Sequence, residues 1–539
     1  MQRLFKLHSP RFWAGALLWA LVAWGSFYNL ANYPTIWWDE AIFSETAANV
    51  VQHGRYAFTV QSPNHLSDLD YRISAGPAVI LPVALAYKLL GVGVAQGRLV
   101  AGAYLLLLFL ALYLGARRLW GPGAALGAMA LALAGTDVLF WGRSVLGDVP
   151  ALGLFLLGLW FLARGLDAPA LGPLFAGGIF LGLAFDAKEF YGLAFLPPVF
   201  LLVRQWWGDK ARLWKSLLAY GLGACLPLLA YLLLKWVILG HLEAAVLHFL
   251  AQKKLLCHEF FTPLTIGRIY PECFIFLLRQ PLFWLGGFGA YWVWKKGASW
   301  GEKLWLWNFL LWSLIYLTAV WWHRFALPAL FLASPLAALF LWRTVVRLSA
   351  CLTQPPRWLA PGILAAFLIL LYPLAGVDYL KAVYTRTSDS PYRLVDYLKT
   401  HVPGSCLIET PEYELAFLTD NYRIHLMPAY YFVESTPDRV VLLNPRKTPY
   451  DFNRVGADVL VLGAFGKSVF SQIYPPARIA REWQRLAQVA DYDIYVSQQG
   501  RAKLQKAKTS PVIPARLDVS KKQNYSGIHA PPSPATYYH

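Results

Sequence analysis

Apolar runs of about 20 residues recur along most of the first 380 positions, and charged residues collect in the short stretches between them. Such runs are long enough to cross a bilayer as helices. They predict crossings at Phe12 to Tyr33 and near 97 to 116, 122 to 140, 149 to 163, 172 to 186, 190 to 204, 216 to 238, 277 to 294, 304 to 321, 326 to 342 and 359 to 377. The first run follows Arg3, Lys6 and Arg11 and lacks a small-residue cleavage site, so it reads as an uncleaved helix entering from the cytoplasm. Gly76 to Val94 is also apolar, but counting it as a crossing would place Arg117 and Arg118 outside. It is therefore laid in the interface or made re-entrant. The expectation is a polytopic α-helical membrane protein with about 11 transmembrane helices, within a range of roughly 10 to 13.

With that topology Arg117, Arg118, Arg164, Arg204, Lys210, Arg212, Lys215, Lys295, Lys296, Lys303, Arg343, Arg347 and Arg357 all face the cytoplasm. Residues 1–378 then form the transmembrane domain, with a first outer loop at 34–96 and a large one at 240–276. The pattern changes after Asp378 to charged, alternating, turn-punctuated sequence. Residues 379–500 read as an extracytoplasmic soluble α/β domain. Within it Tyr392 to His401 predicts a helix, Cys406 to Glu409 a strand, Ala457 to Leu462 a buried strand, Ala480 to Ala487 a helix and Asp493 to Val496 an edge strand. Residues 501–539 read as a basic disordered tail.

Composition agrees with the pattern. The chain of 539 residues is 57% hydrophobic and only 14% charged, against about 25% charged in soluble proteins. The net charge of +18 lies mostly in short loops, which marks topology and argues against nucleic acid as a partner. Of the five cysteines, Cys257 and Cys273 share the large outer loop and could bridge there. No Walker or Rossmann glycine pattern follows a strand, so nucleotide use is not indicated.

Ionisable residues that topology does not explain gather on the outer side. Trp37-Trp38-Asp39-Glu40 places two carboxylates at the membrane boundary, where one could take a proton from a hydroxyl nucleophile. A helix-capping role is the plainer alternative. Asp148, in the segment Arg143 to Pro150, carries the same choice. Lys188 and the pair His323-Arg324 are outward cations at helix ends, suited to clamping a phosphate or else to snorkelling or pairing locally with Asp186 or Glu189. His248 lies in the large outer loop with His241 and His258, at spacings that match no structural zinc site.

The order of these segments resembles the GT-C superfamily of polyprenyl-phosphate-sugar-dependent glycosyltransferases, in the branch with protein O-mannosyltransferases and lipid A aminoarabinose transferases (glycosyltransferase families 39 and 83). It rests on the acidic pair after the first helix, Arg143 to Pro150, Gly182-Leu183-Ala184-Phe185-Asp186-Ala187-Lys188, and Arg324-Phe325-Ala326-Leu327-Pro328. It spans roughly residues 10 to 345, with a looser likeness beyond. By the resemblance Asp39 is the carboxylate implicated in catalysis, expected here as the base, with Glu40 beside it, and Asp148 is the second acid of the site. Lys188, Arg324, His323 and His248 would contact the donor phosphate. Two departures stand out: Ala75-Gly76-Pro77 replaces a start with Lys or His, and Phe185-Asp186 stands where Leu-Thr is common. Trp37-Trp38-Asp39 also matches the oligosaccharyltransferase signature, but that signature belongs in the soluble domain, so this match is read as chance.

The expected function is an inverting glycosyltransferase in the inner or plasma membrane, with a cytoplasmic N-terminus and an extracytoplasmic C-terminal domain. It would move a hexosyl or pentosyl unit from polyprenyl phosphate to a hydroxyl of a lipid, glycan or protein. A non-catalytic lipid or glycan transporter or flippase is the alternative; it predicts midplane charges and internal repeats. No cofactor is indicated, and a divalent metal is compatible with the acids. Sugar, acceptor and oligomeric state are not encoded in these motifs.

Overall fold

The computed structural model describes residues 10–509, apart from 62–64, 71, 169, 253–270, 319–321, 351–361, 363–374, 386–388, 420–421, 428–431, 437–438, 444–449 and 469. The expected crossing at 359 to 377 lies largely outside them, as do Cys257 and therefore the Cys257–Cys273 bridge. The other expected crossings fall on helices: Pro10–Phe27, Val94–Trp120, Pro122–Gly135, Asp148–Asp167, Leu171–Ala187, Leu196–Trp206, Lys210–Leu239, Pro281–Lys295, Trp300–Thr318 and Leu327–Ala350.

Among the described residues four helices suffice by length and composition to cross a membrane, or five if the pair Glu272–Leu278 and Pro281–Lys295, bent by 73°, counts as one span. Phe12–Phe27, Pro122–Gly135 and Leu171–Ala187 are shorter apolar helices. Two expected runs are broken. Residues 122 to 140 split into Pro122–Gly135 and Val138–Trp141, and 190 to 204 begins as the 3-10 turn Glu189–Phe195. Gly76 to Val94 contains a helix of 14 residues, Pro77–Leu90, only about 21 Å long and too short to span alone.

The helix surfaces are those of a protein in lipid. Along Lys210–Leu239 the side chains of Leu218, Leu222, Leu226, Leu229, Leu233 and Trp236 recur every three or four residues, and all are exposed. An exposed leucine face of that length is costly in water and favourable against acyl chains. At the end where charge predicts the cytoplasm, cations lie over rings, as Arg343 does over Trp292 at 3.3 Å and Arg164 over Trp160 at 5.0 Å.

At the opposite end sits a seven-stranded sheet. Its strands are β1 (Ala57–Gln61), β2 (His65–Asp68), β3 (Leu407–Thr410), β4 (Arg423–Leu426), β7 (Val459–Leu462), β8 (Gln484–Val489) and β9 (Tyr492–Val496), in the order β2-β1-β4-β3-β7-β9-β8. A separate hairpin joins β5 (Phe432–Thr436) to β6 (Arg439–Leu443). β3 runs parallel to β4 and β7. The hairpin β1–β2 belongs to the segment 34–96, expected as the first outer loop, and reaches the sheet through Gln61 opposite His425. The C-terminal sheet is thus completed by a hairpin from the first 70 residues.

Three sequence expectations are corrected here. Ala480 to Ala487 is not one helix: a helix at Pro476–Glu482 gives way to β8, whose polar residues are drawn into strand by pairing with β9. Asp493 to Val496 is not at the edge, because β9 lies between β7 and β8. The segment after Gly500 does not begin disordered, since a helix occupies Gln498–Thr509 and Lys503 bonds to Asp458 at 2.7 Å.

Candidate active site

The two acids of the first outer segment point to different tasks. The helix Trp38–His53 takes Trp37 as its N-cap, with no side chain bonding the cap, so Asp39 and Glu40 occupy its first turn without capping it. Asp39 instead accepts a hydrogen bond from Arg324 Nη1 at 2.8 Å and remains 18% exposed, the most accessible group of the cluster. Glu40 is buried in a two-pronged pair with Arg98, at 2.7 Å on each prong, and Arg98 also donates to the Leu30 carbonyl. Glu40 is therefore tied to Arg98 at the start of this helix, apart from the Asp39–Arg324 pair. An ionisable residue inside an apolar span demands such a partner, and Arg98 was the readable sign of it.

Asp148 starts its own helix in the same way. Gly147 is the cap, with no side-chain bond, and Asp148 lies in the first turn, 4.0 Å from Arg324 Nε. Arg324 thus lies between two carboxylates, and its guanidinium is also within 5.2 to 5.6 Å of the Trp322, Trp37 and Trp141 ring centres. Such rings hold the guanidinium plane and exclude water.

Lys188 packs beside Gly147, the residue before Asp148. It ends the helix Leu171–Ala187 and is 4% exposed. Its ammonium donates to Ser74 Oγ at 3.1 Å, and among the described residues it makes no ion pair, so neither Asp186 nor Glu189 neutralises it. Two glycines let this strand of chain in. A Cβ on Gly76 would lie 1.9 Å from the Asp186 carbonyl oxygen, and one on Gly147 would lie 2.5 Å from that of Ala187 and 3.3 Å from Lys188 Cδ. Ala75 bridges to Lys188 through the backbone, and Asp186 Oδ2 accepts the Ala78 N–H at 2.8 Å, anchoring the helix Pro77–Leu90. The departures at Ala75-Gly76-Pro77 and Asp186 are therefore matched to each other: the small residue admits the chain, and the new acid holds it.

Two other expected phosphate contacts fall elsewhere. His248 bonds to Lys235 Nζ at 3.0 Å within a buried group that includes Gln252. His323 is exposed and stacks on Phe276 at 4.1 Å. Sequence reading also left Arg143 without a task. It donates to the backbone carbonyls of Gly25, Tyr28 and Tyr33, fixing the chain that leads into Trp37.

The soluble domain covers this cluster. Phe465, just after β7, stacks on Trp38 at 5.4 Å and Trp37 at 6.2 Å, and Trp38 stacks in turn on Tyr413 at 5.0 Å. The Phe465 turn is held by Glu412 Oε1, which accepts the Gly463 and Gly466 N–H groups at 2.7 and 2.8 Å. Burial, and the neighbouring Glu414, push the Glu412 carboxyl above the usual range. Burial does the same to Glu414, against the opposing hydrogen bond from Tyr492. Among the described residues no three His, Cys, Asp or Glu side chains are grouped to hold a metal ion.

Residues 74–236 match the family model of dolichyl-phosphate-mannose-protein mannosyltransferases, a segment that includes Ser74, Gly147, Asp148 and Lys188. No curated protein sequence matches the chain. Among solved structures it is similar to ArnT from Cupriavidus metallidurans bound to undecaprenyl phosphate, at 16% identity and a TM-score of 0.58, covering 90% of this chain and 98% of that one. The apo form of ArnT gives 16% and 0.59, with 91% and 98% covered. The oligosaccharyltransferase AglB from Archaeoglobus fulgidus, in complex with an inhibitory peptide and a dolichol-phosphate, gives 11% and 0.56, with 90% and 74% covered. The resemblance read from the motifs is borne out: the chain has the GT-C membrane fold with a sheet-containing C-terminal domain.

Proposed function

We propose that the protein is an integral-membrane, polyprenyl-phosphate-dependent glycosyltransferase that inverts the anomeric centre. The observation that carries this is a pair of buried cations near the start of the Asp148 helix, Arg324 at Asp148 and Lys188 beside Gly147. Lys188 is a buried ammonium without a carboxylate partner among the described residues, and Arg324 is held in a tryptophan cage. An unneutralised buried cation is expensive unless an anion visits it. A lipid phosphate at a membrane boundary is an anion of suitable chemistry, and ArnT and AglB have been seen with undecaprenyl phosphate and dolichol-phosphate respectively.

In this reading Asp39 is the base. It removes the proton from an acceptor hydroxyl as that oxygen bonds to the anomeric carbon, while the bond from that carbon to the phosphate oxygen breaks. The electron pair leaves with the polyprenyl phosphate. Arg324 and Lys188 meet the charge that develops on the phosphate, a contribution of about 3 kcal/mol for each donor of this kind. Asp148 orients Arg324 and the sugar hydroxyls, and Glu40 with Arg98 holds the Asp39 turn. His323 and His248 are given no part in the step. Asp39 is tied to Arg324 in the resting protein, so incoming phosphate competes for the guanidinium and releases the carboxylate to act as base. The acceptor is a hydroxyl of a lipid, glycan or protein on the extracytoplasmic face, presented beneath the soluble domain, in the plasma or inner membrane.

Native mass spectrometry with added polyprenyl phosphate tests the reading. Wild type is expected to bind, and Lys188→Ala and Arg324→Ala each to bind on the order of tenfold or more weakly. A folded wild type that binds none would remove this donor class and favour a carrier.

A further inference from the structure

A second basic site lies at the far end of the bundle. The last turns of Val94–Trp120 and Asp148–Asp167 border a cavity of about 390 Å³, lined by Leu114, Arg117, Arg118, Trp160 and Arg164. From Arg98, which pairs with Glu40 beside the candidate active site, the helix climbs 19 residues to Arg117, roughly 28 Å and close to a bilayer's hydrocarbon thickness. The cavity is therefore separate from the acids and cations already described.

Its charge is not balanced. Arg118 meets Asp167 at 3.5 Å, and that same carboxylate also accepts the Gly301 N–H at 2.9 Å. Among the described residues Arg117 and Arg164 have no carboxylate partner. Their guanidiniums lie over the Tyr113 and Trp160 rings, at 5.9 and 5.0 Å. Topology and helix dipoles explain why cations stand at these helix ends, but they do not explain why three converge on one cavity. It is an open groove of about 390 Å³ at the helix ends, accessible to a lipid headgroup from the membrane face. Arginine forks match phosphate oxygens, and Trp160 with Leu114 gives the apolar wall that a glycerol and acyl chain would follow.

We propose that this cavity binds a phosphate group carried by an anionic phospholipid of the leaflet at this end of the bundle. The assignment goes beyond the glycosyl-transfer reading and does not depend on it.

The test uses the full-length protein, delipidated and studied by native mass spectrometry with phosphatidylglycerol, phosphatidylcholine and inorganic phosphate as separate probes. Phosphatidylglycerol is expected to bind in preference to phosphatidylcholine and to resist millimolar phosphate. The double variant Arg117→Gln/Arg164→Gln should bind phosphatidylglycerol on the order of 30-fold more weakly. Lys295→Gln, which removes a cation from another helix at the same end, should bind like wild type. Thermal melting of both variants near the wild-type temperature separates lost binding from lost folding. Three results would each overturn the proposal: equal binding by the double variant, equal binding of phosphatidylcholine, or displacement by free phosphate, which would make the ligand a soluble anion.

Discussion

Asp39 and Glu40 are neighbours in sequence and differ in everything that matters chemically. One is partly accessible on Arg324, and the other is enclosed with Arg98. Removing one partner of a buried pair leaves the other charge uncompensated, at a cost of about 3 to 5 kcal/mol. Arg98→Ala is therefore expected to lower the melting temperature markedly and reduce activity with it, and a fully stable Arg98→Ala protein would contradict the strut assigned to Glu40. Four reacting candidates were legible in the sequence because an apolar chain makes its outward charges conspicuous: Asp39, Asp148, Lys188 and Arg324. Which residues they pair with was not legible. Glu40 and Arg98 lie 58 residues apart, and only the packing of their two helices shows that the acid is taken. The surroundings of His323 and His248 were hidden for the same reason, since a histidine's neighbours in sequence do not reveal a Phe276 ring or a Lys235 ammonium.

At the scale of elements, the short segment from Ser74 to Ala78 and the end of Leu171–Ala187 behave as one unit. The glycine at position 76 is required by close approach, because any Cβ would strike the Asp186 carbonyl. Gly76→Ala is expected to push these segments apart, moving Ser74 away from Lys188 and cutting polyprenyl-phosphate binding, on the order of tenfold, with less change in stability. Binding unchanged in Gly76→Ala would show that this contact does not position Lys188. Helix positions were readable from apolar runs, but their breaks were not read: the polar pair Thr136-Asp137 interrupts one run between two helices. The strand β8 was misread as helix because Ala480 to Ala487 has helix-favouring residues, and only its partner β9 selects strand.

For the whole molecule, the outer sheet joins the first outer loop to the C-terminal domain across more than 350 residues of sequence, a pairing that no local pattern encodes. This union sets Phe465 over Trp37 and Trp38, so the cover depends on the Glu412 turn. Glu412 and Glu414 have raised carboxyl pKa values in the folded protein, so the folded state holds protons that the unfolded chain would release. The stability they contribute is complete below the usual carboxylate range and is lost as pH rises through the raised values. Melting of the intact protein is expected to fall between about pH 5.5 and about pH 8.5, and Glu412→Gln should flatten that slope. An unchanged slope in the variant would remove Glu412 from the cause.

The central claim is that Asp39 takes the acceptor proton while Lys188 and Arg324 receive the phosphate. The most direct measurement compares wild type with Asp39→Asn in proteoliposomes, with polyprenyl-phosphate mannose and polyprenyl-phosphate aminoarabinose as parallel donors, following both donor binding and release of carrier phosphate. Asparagine keeps the shape and an oxygen for Arg324 but cannot take the proton. The account predicts retained binding and a loss of turnover of roughly 10² to 10⁴. Turnover within a few-fold of wild type would contradict it.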